Sequence, residues 1–217
     1  MGVNTENIDV LVVDYGGVLT NPLMETYGAF AKRTGIPVPA LVGAFVAATR
    51  QYGETPMAAL EVAKITEEEM VGRLLEHLPP GTEDGLGGRP FGELWFAGRR
   101  PNSELIAYLK ELSAEGVRLG MLTNNVREWE HRWRAQVPVD LFETIVNSAD
   151  EKIRKPDPEI YRILLDRLKT EPERVLFVDD DDDNCAAARE LGIQVIQFEG
   201  TAQAIAAVDI ALERTTP

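Results

Sequence analysis

The stretch IDVLVVDYGGVLT, Ile8 to Thr20, decides how the rest of the chain is read. Its apolar run Leu11-Val12-Val13 stops at an acidic residue, Asp14, which two glycines follow within three positions. A short apolar run with no polar alternation, bounded by turn residues, suits a strand buried on both faces. Four further strand candidates recur downstream at Val117 to Leu122, Glu143 to Asn147, Arg174 to Val178 and Gln194 to Phe198. Helical segments separate them. Ser103 is placed to cap a helix through Leu112 that closes at Gly116, Pro158 opens one through Leu168, and Gly192 ends one running through Arg189. Strands alternating with helices predict the α/β class, a parallel sheet covered by helices.

The interval from Pro22 to Arg100 breaks this rhythm. It has helical spacing and no convincing strand, with segments near Leu23 to Lys32, Ala40 to Arg50, Pro56 to Lys64 and Glu67 to His77. Thr66 with Glu69 predicts a capping box at the start of the last of these. Pro79 to Pro90, rich in Gly and Pro, is expected to be a loop leading to a short aromatic segment around Trp95 and Phe96. The interval therefore reads as an inserted helical unit.

Composition sets the remaining bounds. The 217 residues include 36 acidic and 22 basic side chains, a formal charge of -14, which disfavours nucleic acid and anionic membrane as partners. An anionic substrate would need a local cation. No apolar stretch reaches the length of a membrane span, Met1 to Val10 lacks the regions of a signal peptide, and the myristoylation pattern fails at Glu6. A cytoplasmic location is expected. Cys185 is the single cysteine, so no internal disulfide can form.

In an open parallel sheet, ligands bind beyond the carboxyl ends of the strands. There the expected strands deliver Asp14, then Thr123 and Asn124, then Lys155, then Asp179 and Asp180. The set comprises a carboxylate nucleophile, a hydroxyl, a cation and an acidic pair. Phosphoryl transfer calls for such groups, because its catalysis lies in positioning phosphate and neutralising charge on its oxygens. Crowded carboxylates repel one another unless a divalent ion sits among them, and Mg2+ suits oxygen ligands supplemented by water.

The four motifs DYGGVLT (Asp14 to Thr20), LTNN (Leu122 to Asn125), RKPDPEIY (Arg154 to Tyr161) and VLFVDDDDDN (Val175 to Asn184) resemble those of the haloacid dehalogenase superfamily of hydrolases. Their order, spacing and the helical insert after the first motif fit that family. The resemblance implies a Rossmann-like core over residues 1–21 and 99–217, with a helical cap over 22–98. It implies that Asp14 is nucleophile and metal ligand, and that Thr123 with the Asn124 backbone cradles phosphate. Lys155 would stabilise phosphate and nucleophile, and Asp180 helped by Asp179 would hold Mg2+. Asn184 would orient one of these. The implied activity is hydrolysis of a small phosphorylated metabolite, such as a sugar phosphate, by a monomer or homodimer.

One position departs from the pattern. Family phosphatases commonly carry a second Asp two residues after the nucleophile as general acid and base; here it is Gly16. Its loss costs about 10²- to 10⁴-fold if nothing replaces it. The family's metal ligand at this position is the main-chain carbonyl, which glycine keeps. A fold-retaining binding protein with weak or no catalysis is the alternative, and 2-haloacid dehalogenation is disfavoured by the acidic pair at Asp179 and Asp180. Asp182 and Asp183 suit a helix N-terminus, His77 and His131 read as surface groups, and Cys185 as a packing residue. Trp95, Phe96, Arg99 and Arg100, at the return from the insert, fit a hinge or packing role as well as ligand contact.

Overall fold

The computed structural model describes residues 8–214. Strand β1 (Val10–Val13) leads into a wound segment, Tyr15–Leu19, and then into the insert. The insert holds α1 (Leu23–Thr34), α2 (Val38–Tyr52), α3 (Pro56–Glu61), α4 (Glu67–Leu75), α5 (Thr82–Leu86) and α6 (Phe91–Phe96). After it come α7 (Ser103–Ala114), β2 (Arg118–Thr123), α8 (Glu130–Arg134), β3 (Thr144–Asn147), α9 (Ser148–Glu151) and α10 (Pro158–Leu168). The chain finishes with β4 (Val175–Asp179), α11 (Asp182–Glu190), β5 (Gln194–Gln197) and α12 (Thr201–Ala211).

All strand pairs are parallel, in the order β3-β2-β1-β4-β5. β1 is thus central, and the order reverses across it, which opens a crevice at its carboxyl end. Register fixes what meets there. Val13 pairs with Met121 on one side and Val178 on the other, so Asp14, Asp179 and the end of β2 converge at one level.

Strand alternation divides the core. Val10 and Val12 face one side with Phe177, Ile160, Tyr161 and Leu164, whereas Leu11 and Val13 face the other with Leu119, Met121 and Leu109. The second cluster continues into the insert, where Phe30, Phe91 and Trp95 pack with ring centroids 4.7 to 6.0 Å apart. The two crossings between core and insert are tied together. Thr20 bridges Pro101, Asn21 N donates to the Arg100 carbonyl, and Asn21 Oδ1 accepts from Arg100 N.

The helical insert follows the sequence closely, including the reciprocal Thr66–Glu69 capping box. Three local expectations change. The helix expected over Pro56 to Lys64 stops at Glu61. The cap of α7 is Asn102, whose side chain accepts from Leu105 N at 3.3 Å; Ser103 already lies inside the helix. Pro79 to Pro90 is not loop throughout, because Thr82–Leu86 winds into α5 between Gly81 and Gly87, both in the left-handed region. That turn is held against α1: a Cβ on Gly85 would stand 2.2 Å from the Thr34 carbonyl oxygen. The short α8 carried no periodic signal. The readings at Glu6 and over Met1 to Asn7 lie outside the described residues. No described helix is long and apolar enough to cross a membrane.

Candidate active site

Asp14 leaves β1 with its amide donating to the Val178 carbonyl, which anchors it to β4. The loop that follows folds back because Gly17 takes a φ of +89° and Thr20 Oγ1 accepts from Gly17 N. A side chain there would have to displace the Asp180 carboxylate: a Cβ would fall 2.2 Å from Asp180 Oδ2. The Asp180 carboxylate is therefore seated directly on the Asp14–Gly17 loop.

Lys155 is the hub. Its ammonium, 1% exposed, donates to Asp14 Oδ1 at 2.7 Å and to Asp179 Oδ2 at 2.5 Å. Asn124 aims it, since its side chain accepts from Lys155 N at 2.8 Å and donates to the Lys155 carbonyl at 3.0 Å. Asp179 is wholly occupied: Oδ1 accepts from Asp181 N, and Asn184 Nδ2 lies 3.2 Å from both oxygens. Asn184 thus orients Asp179, which in turn faces the lysine.

Electrostatics follow from burial. Desolvation pushes Asp14 up to about 7, with Asp179 and Asp180 adding to the rise and Lys155 opposing it. Asp180 rises to about 6, again through burial first and then Asp179. Burial works against the charge on Lys155, but the carboxylates of Asp14 and Asp179 outweigh it and hold the lysine charged.

A cavity of about 280 Å³ opens over Asp14, Gly16, Asn124, Lys155 and Asp180. Thr123 and Asp179 are buried beneath and do not line it; the Thr123 hydroxyl is buried with no hydrogen-bond partner among the described residues. The insert supplies the opposite wall through Tyr27, Glu61, Trp95 and Phe96. Glu61 was not singled out in the sequence, where nothing marks it. Its Oε2 accepts from Arg154 Nε at 2.9 Å, and burial pushes its carboxyl up to about 7. Arg154 could have been flagged, because it begins the same RKPD motif as Lys155.

The donor set also bears on a metal. Asp14 and Asp180 are two carboxylates brought to one loop, each raised by burial and by negative neighbours. Among the described residues no group of three or more His, Cys, Asp or Glu side chains is arranged to hold an ion alone. Two carboxylates with a main-chain carbonyl, completed by water and phosphate, match the habit of Mg2+.

With this geometry in place, the comparison with known families is decisive: a family model described as haloacid dehalogenase-like hydrolase matches residues 8–192. The chain belongs to that family. Among curated members, a sesquiterpene phosphatase of Aspergillus oryzae is 36% identical over 101 residues, 43% of this chain and 48% of that protein. A phosphorylated carbohydrates phosphatase of Thermotoga maritima is 28% identical over 195 residues, covering 87% of this chain and 84% of that one. The chain spans less than half the length of the first curated relatives it matches. A haloacid dehalogenase family enzyme of Bacteroides thetaiotaomicron, solved with magnesium and inorganic phosphate, shares the fold with a TM-score of 0.63 at 23% identity, covering 88% of this chain and 94% of that one.

Proposed function

We propose that this haloacid dehalogenase-like hydrolase is a magnesium-dependent phosphatase that cleaves a small phosphomonoester through an aspartyl-phosphate on Asp14. The observation that carries the reading is the buried Asp14–Lys155–Asp179 array at the sheet's switch point, with Asp180 seated beside it. We take residues 1–21 and 99–217 as the catalytic core and 22–98 as a cap. The small cavity suits a metabolite rather than a polymer.

Lys155 occupies Asp14 Oδ1, leaving Oδ2 to attack phosphorus. That bond forms as the ester oxygen departs, and water later cleaves the acyl phosphate to release inorganic phosphate and restore the carboxylate. The ammonium of Lys155 neutralises charge on both nucleophile and phosphate. Thr123 is suited to donate its unpartnered hydroxyl to a phosphate oxygen, beside the Asn124 main chain. Asp14, Asp180 and the Gly16 carbonyl would hold Mg2+, with Asp179 serving to position Lys155. Bound there, the ion supplies Lewis-acid neutralisation of phosphate charge. Gly16 offers no proton, so the leaving oxygen takes one from water.

The test is hydrolysis of p-nitrophenyl phosphate by wild type and Asp14→Asn, with and without chelator. Turnover should require Asp14 and a divalent ion. Beryllium fluoride with Mg2+ should raise the melting temperature of wild type alone by occupying Asp14. Undiminished activity of Asp14→Asn refutes the assignment.

A further inference from the structure

Three cations line the cavity: Lys155, Arg154 and Arg99. Lys155 is bound to two carboxylates and Arg154 to Glu61. Arg99 is in no ion pair among the described residues. It is part-buried, its Nη1 donates to Thr20 Oγ1 at 2.8 Å and to the Asn21 carbonyl at 3.4 Å, and its guanidinium lies 5.9 Å from the Trp95 ring centroid. Nε is buried without a partner, and Nη2 makes no hydrogen bond among the described residues.

The place of Nη2 is what gives it meaning. A Cβ on Gly16 would sit 3.6 Å from Arg99 Nη2 and 3.8 Å from Asp14 Oδ2. The guanidinium and the free oxygen of Asp14 therefore flank one small space, the space a side chain at position 16 would enter. Gly16 has an ordinary φ of -78°, so backbone strain does not demand glycine there. What its missing side chain leaves is a guanidinium arm with no hydrogen bond among the described residues, facing the space beside the attacking oxygen. Such an arm is matched best by a carboxylate.

We infer that Arg99 is the specificity-determining residue of this site, binding a carboxylate on the leaving group, and that the substrate is the phosphate ester of a small hydroxy acid. This rests on the phosphatase reading for the phosphate end of the ligand. The short span between Asp14 Oδ2 and Arg99 requires the carboxylate to lie close to the ester oxygen. Gly16 then serves to keep Arg99 unpaired, and an aspartate at that position would bind Arg99 and cancel the site.

Phosphoglycolate and ethyl phosphate differ by a carboxylate in place of a methyl and make the deciding pair. Their binding to the non-turnover Asp14→Asn protein with Mg2+, measured by calorimetry, should favour phosphoglycolate by about tenfold to a hundredfold, the worth of one charge-assisted hydrogen bond. Arg99→Met should bring the ratio to about one, Arg99→Lys should keep part of it, and Gly16→Asp should erase it with Arg99 still present. Wild-type kcat/KM for the two esters should show the same ratio. Equal binding of both esters overturns the inference, as does a preference that survives Arg99→Met. Equal weakening of both by Arg99→Met also overturns it, because Arg99 would then bind the phosphate. A binding preference that depends on Arg99, without turnover of either ester by wild type, upholds Arg99 as the carboxylate-binding residue and refutes the hydrolytic reading. Binding of neither ester refutes both.

Discussion

Replacing Lys155 by methionine tests the centre of the site, because methionine fills the lysine stem and removes only the charge and its hydrogen bonds. In the structure the ammonium is 1% exposed, and its partners Asp14 and Asp179 are 9% and 0% exposed at the side chain. Removing one partner of such a buried array leaves uncompensated carboxylates, which costs about 3–5 kcal/mol. For a chain of this size 1 kcal/mol shifts the midpoint by roughly 2–4 °C, so the variant should melt about 6–20 °C below wild type. The loss should depend on pH with a definite sign. Burial already raises Asp14 to about 7, and losing Lys155 removes the main opposing influence and raises it further. A carboxyl raised in the folded state binds more protons there than in the unfolded chain, so stability falls as pH rises from the ordinary carboxylate range toward the folded value. The gap between variant and wild type should therefore widen above pH 7, by up to about 1.4 kcal/mol per pH unit, and be larger at pH 8 than at pH 5. Metal-free calorimetric melts at the two pH values measure this. A loss at pH 8 under about 2 °C, or one no smaller at pH 5, would refute the account of Lys155 as the charge that balances this site.

Other expectations bear on the neighbouring groups. Gly17→Ala meets both a positive φ and the Asp180 carboxylate at 2.2 Å, so it should cost about 1–2 kcal/mol and weaken Mg2+ dependence, read from the ion concentration giving half-maximal activity. Unchanged half-saturation would show that Asp180 is not seated by Gly17. Glu61, raised from 4.5 to about 7, should make wild type lose stability as pH climbs through that window; Glu61→Gln should flatten that part of the melting curve against pH. Thr66→Ala removes the α4 capping box and should cost about 1 kcal/mol without altering kinetics, measured by chemical denaturation.

Local signals in the sequence determined most of the architecture. Unalternating apolar runs, Gly and Pro stops and cap residues are short-range devices, so all five strands and the expected helices other than α3 lie where their patterns put them, within a residue or two. Asp14, Thr123, Asn124, Lys155 and Asp179 were legible for a related reason: each stands at the carboxyl end of a strand or in the connection after it, on one side of the sheet. Misreadings arose where local cues were shared or weak, as with Asn102 and Ser103, which both suit a cap, and with α5, flanked by glycines and packed on α1. Only the tertiary structure decided the partners. Asp179 and Asp180 are adjacent in sequence, yet one turns to Lys155 and the other lies on the Gly17 loop. Glu61 and Arg154 stand 93 residues apart and Arg99 lies far along the chain from Gly16. Ion pairing and desolvation depend on distances in space that residue order does not encode, which is why the strand pattern could place Asp14, and only the folded chain could set an unpaired arginine beside it.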